Sequence, residues 1–343
     1  MLPDWLSALR QSLRAGHAAV LVSVARTQGS APRDAGTTML VDATCCADTI
    51  GGGHLEFEAI REARAMLGCT SPVPRILRYN LGARLGQCCG GVVWLLFEQI
   101  PASDAPAWEA RWAPIEAGNA LERRLDAGAS ASSWALGAAR QTRARLEGEA
   151  SAWRFEQTLV AEDFPVYLFG AGHVARALVR QMLPLGAAIT WVDTRDDGFD
   201  GQADLDGLHR LAPGRLRTQL TDTPEAEVAQ APAGSFFIIM THSHALDFSL
   251  CEAVFRRRDF AYFGLIGSDT KRASFEGRLK ARGLPPERLG ELTCPIGIPG
   301  IPGKAPAEIA LAVGAELMQV RYAHQLLKQA GQASRPHNTL LPE

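Results

Sequence analysis

Apolar positions in the first hundred residues alternate between two periods. Leu2, Leu6, Leu9 and Leu13 recur near the helical repeat and predict a helix over residues 1–16. Val20-Leu21-Val22-Ser23-Val24-Ala25 is almost wholly apolar and predicts a strand. Residues 26–36, rich in Gly, Ser, Pro and Asp, read as a loop, and Thr37 to Val41 resumes a strand. Leu55, Ala59, Ala63 and Met66 then mark one side of a helix from about His54 to Leu67, with strands expected near Ile76–Leu81 and Val92–Phe97.

From residue 101 to 162 the composition shifts toward Ala, Arg and Glu, which predicts a connecting segment with some helix, such as Ala138 to Leu146. Val166–Phe169 reads as a buried strand, followed by a glycine turn, a helix through Met182 and a strand over Ala188–Val192 that ends at Asp193. Strands at Ser235–Met240 and Tyr262–Ile266 alternate with helices over Leu246–Arg257 and Thr270–Ala281. Such alternation predicts an open parallel sheet. The expected fold class is therefore α/β. A smaller mixed α/β N-terminal domain (1–100) and the connecting segment (101–162) precede a Rossmann-like, doubly wound parallel-sheet domain (163–325) and a flexible tail (326–343).

Bulk composition narrows the function classes. With 343 residues, 47% hydrophobic and 21% charged, the chain has the make-up of an ordinary globular protein large enough for two cores. A net charge of -2 gives no electrostatic footprint for nucleic acid. The apolar runs are too short to span a bilayer, and the start lacks a basic stretch followed by an apolar one, so neither membrane insertion nor secretion is expected. Seven cysteines, an odd number without framework spacing, favour free thiols in a reducing cytoplasm. Cys69, Cys251 and Cys294 read as packing residues, and the adjacent Cys45 and Cys46 as part of a strand pair without a basic neighbour.

Candidate chemistry gathers at glycine turns. Gly51-Gly52-Gly53 opens a helix, and Gly90-Gly91 follows Cys88 and Cys89, whose thiols beside free N–H groups suit a soft metal or sulfur. Arg33, on a Pro-stiffened loop, presents a guanidinium for a phosphate or carboxylate, while Glu56 is placed either for a ligand or for capping its own helix. Gly170-Ala171-Gly172-His173-Val174-Ala175 has the dinucleotide fingerprint context, with Asp193 where the ribose-binding acid belongs. His173 either faces a ligand there or caps the turn. Met240-Thr241-His242-Ser243-His244 leaves the end of a central strand, so His242 and His244 line the expected crevice or, with Asp247, hold a metal. Ser268 begins a further turn whose helix carries Lys271 and Arg272 in its first turn, a placement that favours a bound anion or a plain solvated helix start.

Taken together, Gly29-Ser30-Ala31-Pro32-Arg33, Ile50-Gly51-Gly52-Gly53-His54-Leu55-Glu56, Cys89-Gly90-Gly91, Gly170-Ala171-Gly172-His173-Val174, Thr241 to Asp247 and Gly264-Leu265-Ile266-Gly267-Ser268 resemble the XdhC/CoxI family in content and order. The likeness spans roughly residues 10–100 and 163–315. It departs from the family pattern at Cys88, at Ser243, at the delayed basic pair after Ser268, and in the proline-rich run before Lys304.

The resemblance implies a chaperone that carries molybdenum cofactor (molybdopterin), protects its sulfurated form and assists its insertion into xanthine dehydrogenase or a related molybdenum hydroxylase. It also implies work with a cysteine desulfurase, a homodimer, and an accessory rather than catalytic role. Under it the cofactor-binding residues are Arg33, Gly51, Gly52, Gly53, Glu56, Cys88, Cys89, Gly90, Gly170, Gly172, His173, Asp193, His242, His244 and Ser268, with Cys89 as the metal ligand. Two readings stand beside it. One is an NAD(P)-dependent oxidoreductase using the Rossmann-like domain, with His173 or His242 as proton donor. The other is a metal-dependent hydrolase built on His242, His244 and Asp247.

Overall fold

β1 (Ala19–Gln28) is apolar almost throughout because both of its faces are covered. In this computed structural model, which describes residues 3–69, 72–82, 90–139, 142–149, 152–160, 164–199, 205–212 and 214–329, β1 pairs with β2 (Thr38–Val41) and β5 (Val92–Ile100). β3 (Cys46–Ala47) and β4 (Arg75–Asn80) complete an antiparallel sheet of order β3-β2-β1-β5-β4. Val20, Val22 and Val24 point to one face, where Leu55, Ala59, Ala63 and Met66 of α2 (Gly53–Leu67) cover them. Ala19 and Leu21 point to the other, against Trp5, Leu6, Leu9 and Leu13 of α1 (Asp4–Arg14) and Trp108 and Trp112 of α3 (Ala105–Glu116). Period-2 alternation thus serves two cores rather than one core and solvent.

The expected connector is instead a second sheet. β6 (Ala120–Asp126), β7 (Ser133–Gly137), β8 (Arg143–Glu149) and β9 (Ala152–Leu159) pair antiparallel in the order β7-β6-β9-β8. The helix expected over 138–146 is contradicted: Arg143-Ala144-Arg145-Leu146-Glu147 alternates, with Ala144 and Leu146 packed toward Phe155 and the charged residues outward. Helix-forming composition lost to strand periodicity. This sheet is pinned to β5 by Arg123 and Glu98, an ion pair whose side chains are 0% exposed on both sides. Arg123 also donates to Ser23 Oγ at 2.9 Å and Ser132 Oγ at 3.0 Å, and Gln157 Nε2 donates to the Gly36 carbonyl at 2.7 Å.

The chain divides into two compact units between Glu162 and Asp163. The second holds a parallel sheet of β10 (Pro165–Phe169), β11 (Ala188–Asp193), β12 (Leu216–Leu220), β13 (Phe236–Ile239) and β14 (Tyr262–Leu265), in the order β12-β11-β10-β13-β14. Val166 and Leu168 bury toward α4 (His173–Met182) and the last helix, and Phe169, Phe237 and Ile239 toward the opposite face. This is the Rossmann-like fold. β12, α5 (Leu205–Leu211), α6 (Pro224–Gln230) and the last helix went unread in the sequence, whereas α7 (His244–Phe255) and α8 (Asp269–Ala281) lie near their expected places. Among the described residues no helix is long and apolar enough to cross a membrane.

Candidate functional site

Three loops of the first unit meet at one place. Gly91 N–H donates to the Ser30 carbonyl at 3.2 Å, and a Cβ on Gly91 would stand 2.7 Å from the Gln28 carbonyl oxygen. Only glycine permits that approach. Gly51 packs on the ring of Pro32, with room for no Cβ: Cγ would be 2.6 Å away. The turns at Gly29–Arg33, Gly51–Gly53 and Gly90–Gly91 therefore form one cluster, although they are far apart in sequence. Arg33 is exposed and makes no hydrogen bond among the described residues. Burial raises the Asp48 carboxyl, and the charge of Arg33 lies close enough to oppose that rise. Cys88 and Cys89, including the expected metal ligand, lie outside the described residues.

Glu56 turns inward. Its Oε2 accepts from the Ile50 and Gly52 N–H groups at 3.0 Å each and from the Thr49 hydroxyl. The carboxylate thus shapes the triple-glycine loop and occupies donors that the sequence had offered to an anion. Gly51 N–H is also taken, by Thr49 Oγ1 at 3.0 Å. Arg33, not this loop's backbone, is the free cationic group of the cluster among the described residues.

The other thiols differ from expectation. Cys45 is exposed and donates to Asp42 Oδ2 at 3.2 Å, which raises its pKa. Burial raises Cys46, with Arg64 acting in the opposite sense, so a basic neighbour is present after all. Cys69 is exposed, not packed, while Cys251 and Cys294 are buried.

In the second unit β10 pairs with both β11 and β13, which places the point where strand order reverses at the ends of these strands. A small cleft opens there, with about 10 Å³ of room, enough for one water, lined by Gly170, Asp193, Thr194, Thr241 and His242, with Pro224, Leu246 and Leu250 as its apolar wall. Gly172, His173, His244 and Ser268 are not in that lining. Gly172 caps α4 with backbone alone, His173 is exposed in its first turn, and His244 is exposed at the start of α7. Ser268 accepts from Lys271 N–H at 3.3 Å as the N-cap of α8.

Asp193 is buried at the end of β11, as the fingerprint requires, but its carboxylate is already engaged. It accepts from Ala171 N–H at 2.6 Å, from Arg195 N–H at 2.9 Å, and from the Arg195 guanidinium at 2.9 and 3.0 Å. The Asp-x-Arg spacing is the sequence signal that pointed to this partner and was missed. Burial alone raises the Asp193 carboxyl, yet the bonds from Arg195 and Ala171 outweigh it and hold the group below its ordinary range.

A depressed folded-state pKa stabilises fully above the unfolded value of about 4 and is lost as pH falls through the folded one. Asp193→Asn is therefore expected to be less stable at neutral pH. The deficit should shrink as pH drops below about 4, as read from urea midpoints across that range; a constant deficit would contradict the pairing.

Residues 12–80 match the XdhC and CoxI family, and residues 166–317 match the XdhC Rossmann domain. The chain belongs to the XdhC/CoxI family. No curated protein matches it. A crystal structure described as a xanthine dehydrogenase from Bacillus halodurans aligns with a TM-score of 0.73 at 18% identity, covering 95% of this chain and 98% of that one. At that identity the likeness speaks for the fold.

The histidine motif of this XdhC/CoxI protein is organised by Asp247. Its Oδ1 accepts from Thr241 Oγ1 at 2.7 Å and Thr241 N–H at 3.2 Å, and its Oδ2 from Lys271 Nζ at 2.6 Å. Lys271 also donates to the Ile266 carbonyl at 2.8 Å, and Arg272 to Glu276 at 2.8 Å and the Cys294 carbonyl at 3.0 Å. Both cations thus have partners inside the unit, so their place at that helix start no longer argues for a bound anion. Both oxygens of Asp247 are engaged as well, and among the described residues no group of three His, Cys, Asp or Glu is placed to hold an ion. The geometry therefore gives the hydrolase reading built on His242, His244 and Asp247 no support.

Proposed function

We propose that this protein carries molybdenum cofactor, protects its sulfurated form and assists its insertion into a molybdenum hydroxylase. The client class is that of xanthine dehydrogenase, with a cysteine desulfurase upstream and a cytoplasmic homodimer as the working unit. Membership of the XdhC/CoxI family supports a part in maturing xanthine dehydrogenase, and favours an accessory over a catalytic role.

The observation that carries the reading to residues is the cluster of the Gly29–Arg33, Gly51–Gly53 and Gly90–Gly91 turns. It sets an exposed guanidinium, without a hydrogen bond among the described residues, beside the segment that follows Cys88 and Cys89 in sequence. The cargo is a pterin dithiolene with a phosphate tail and a molybdenum centre. Arg33 can take the phosphate through two parallel hydrogen bonds, and a soft thiolate at Cys89 suits the molybdenum–sulfur end.

Protein isolated anaerobically from molybdate-supplied cells is expected to contain molybdopterin, measured as its fluorescent oxidised pterin. Arg33→Ala should lower affinity by about tenfold or more, as expected for loss of a charge-assisted pair. Cys89→Ala should release the metal-bearing form, whereas Cys69→Ala should retain it. Absence of pterin from the native protein would sink the proposal.

The reversal of strand order beside Asp193, where ligands bind in open parallel sheets, favours a second reading, a nucleotide or NAD(P) in the Rossmann-like unit. Saturable enhancement of NADH fluorescence that is lost in Asp193→Ala would support it.

A further inference from the structure

The last helix, α9 (Pro306–Gln329), presents an apolar stripe that nothing in the described chain covers. One side of α9 buries Ala310, Val313, Leu317 and Val320 in the core of the second unit. On the other, Leu311, Tyr322 and Leu326 are 56%, 58% and 54% exposed. Ala315 and Met318 are half-buried between them, Met318 packing in part against the same core. The five recur at steps of four, three, four and four residues, the spacing of a seam between paired helices. From Leu311 to Leu327 the charged residues are Glu316 and Arg321, and both are buried. An uncharged stripe about 24 Å long is too regular for the scattered apolar residues of an ordinary surface.

The order of side chains in the stripe says what fits it. A two-fold axis between Met318 and Gln319 that sets two copies of α9 antiparallel brings Leu311 to the partner subunit's Leu326. The same axis sets the large Tyr322 on the small site at the partner's Ala315, with the two Met318 side chains near the axis. Large meets small and leucine meets leucine at both ends, as an isologous contact demands. A parallel pairing would instead crowd tyrosine on tyrosine and leave a gap between alanines. Arg321 Nη1 donates to the Leu185 carbonyl at 2.8 Å and so ties the buried flank of α9 to the unit rather than to the stripe.

We infer that α9 is a self-recognition surface, through which a second copy of this chain pairs antiparallel about an axis near Met318. The inference rests on the homodimer of the proposed function and assigns its interface.

Sedimentation velocity of the full chain tests it together with oxidative cross-linking of the double variant Leu311→Cys/Leu326→Cys. The parent chain, with its exposed Cys45, Cys46 and Cys69, sets the baseline. The expected results are a dimer, covalent dimers from the double variant well above those from either single variant, and at least a tenfold weaker dimer in Tyr322→Glu with unchanged circular dichroism. A monomeric parent would overturn both the homodimer and this interface. A dimer that Tyr322→Glu leaves intact, or one that cross-links as well through Leu311→Cys alone, would overturn the interface and leave the homodimer standing. A monomer that binds a client protein through this face would assign the stripe to the client and overturn self-recognition.

Discussion

Arg123→Met is expected to cost roughly 3–5 kcal/mol, the usual penalty for leaving one partner of a buried ion pair without its counter-charge. Both side chains of the Arg123–Glu98 pair are wholly out of solvent, and Ser23 and Ser132 lose their guanidinium partner in the same step. Glu98→Met should cost a similar amount. The double variant Arg123→Met/Glu98→Met should be more stable than the sum of the two predicts, because no unpaired charge remains inside. Urea unfolding of the four proteins checks this; a single-variant cost under about 0.5 kcal/mol, typical of surface changes, would show that water reaches the pair. The network also bears on the candidate site. Ser23 accepts from Thr38, and Gln157 holds the Gly36 carbonyl, so the loop that carries Arg33 ends on these same groups. Loosening the network is expected to weaken cargo binding without touching a ligand contact.

Gly170→Ala is the second large effect. Gly170 stands at φ +104°, and a Cβ there would lie 2.8 Å from the Met240 carbonyl carbon, where β13 ends. Backbone strain and overpacking together should cost roughly 2–4 kcal/mol. Gly172→Ala gives the contrast: Gly172 has φ -79°, and a Cβ would meet nothing within 4 Å. Its replacement should change stability by less than about 1 kcal/mol, and a small gain is allowed because the unfolded chain becomes less free. The two glycines of one motif therefore separate by denaturation midpoint. Equal losses would mean that the turn is not seated against β13. Since Gly170 lines the cleft and Gly172 does not, any nucleotide affinity should also respond more to the first change.

The loops at Gly29–Arg33 and Gly51–Gly53 and the strand–turn–helix at Gly170 were legible because each rests on neighbours in sequence. Turn residues, apolar runs and helix starts act over a few positions. The helix wrongly expected over 138–146 shows the limit. Arg143 to Glu147 is made of helix formers, yet its side chains alternate because β9 lies beside it as a template. A strand in that position is decided by its pairing partner, not by its own preferences. The last helix escaped for a related reason: its outward stripe and inward residues are both apolar, so no clear polar face marks it.

By itself, the sequence determined the Rossmann-like second unit, the glycine turns and the family to which they belong. Each is written in φ preferences and local periodicity. Only the tertiary structure decided which charged groups remain available to a ligand. Lys271 is held by Asp247 and Arg123 by Glu98, while Arg33 stays exposed. Lys271 and Asp247 stand 24 residues apart, and Arg123 and Glu98 25. Charges so separated find each other only when the strands and helices that carry them are packed, so their occupation cannot be read along the chain.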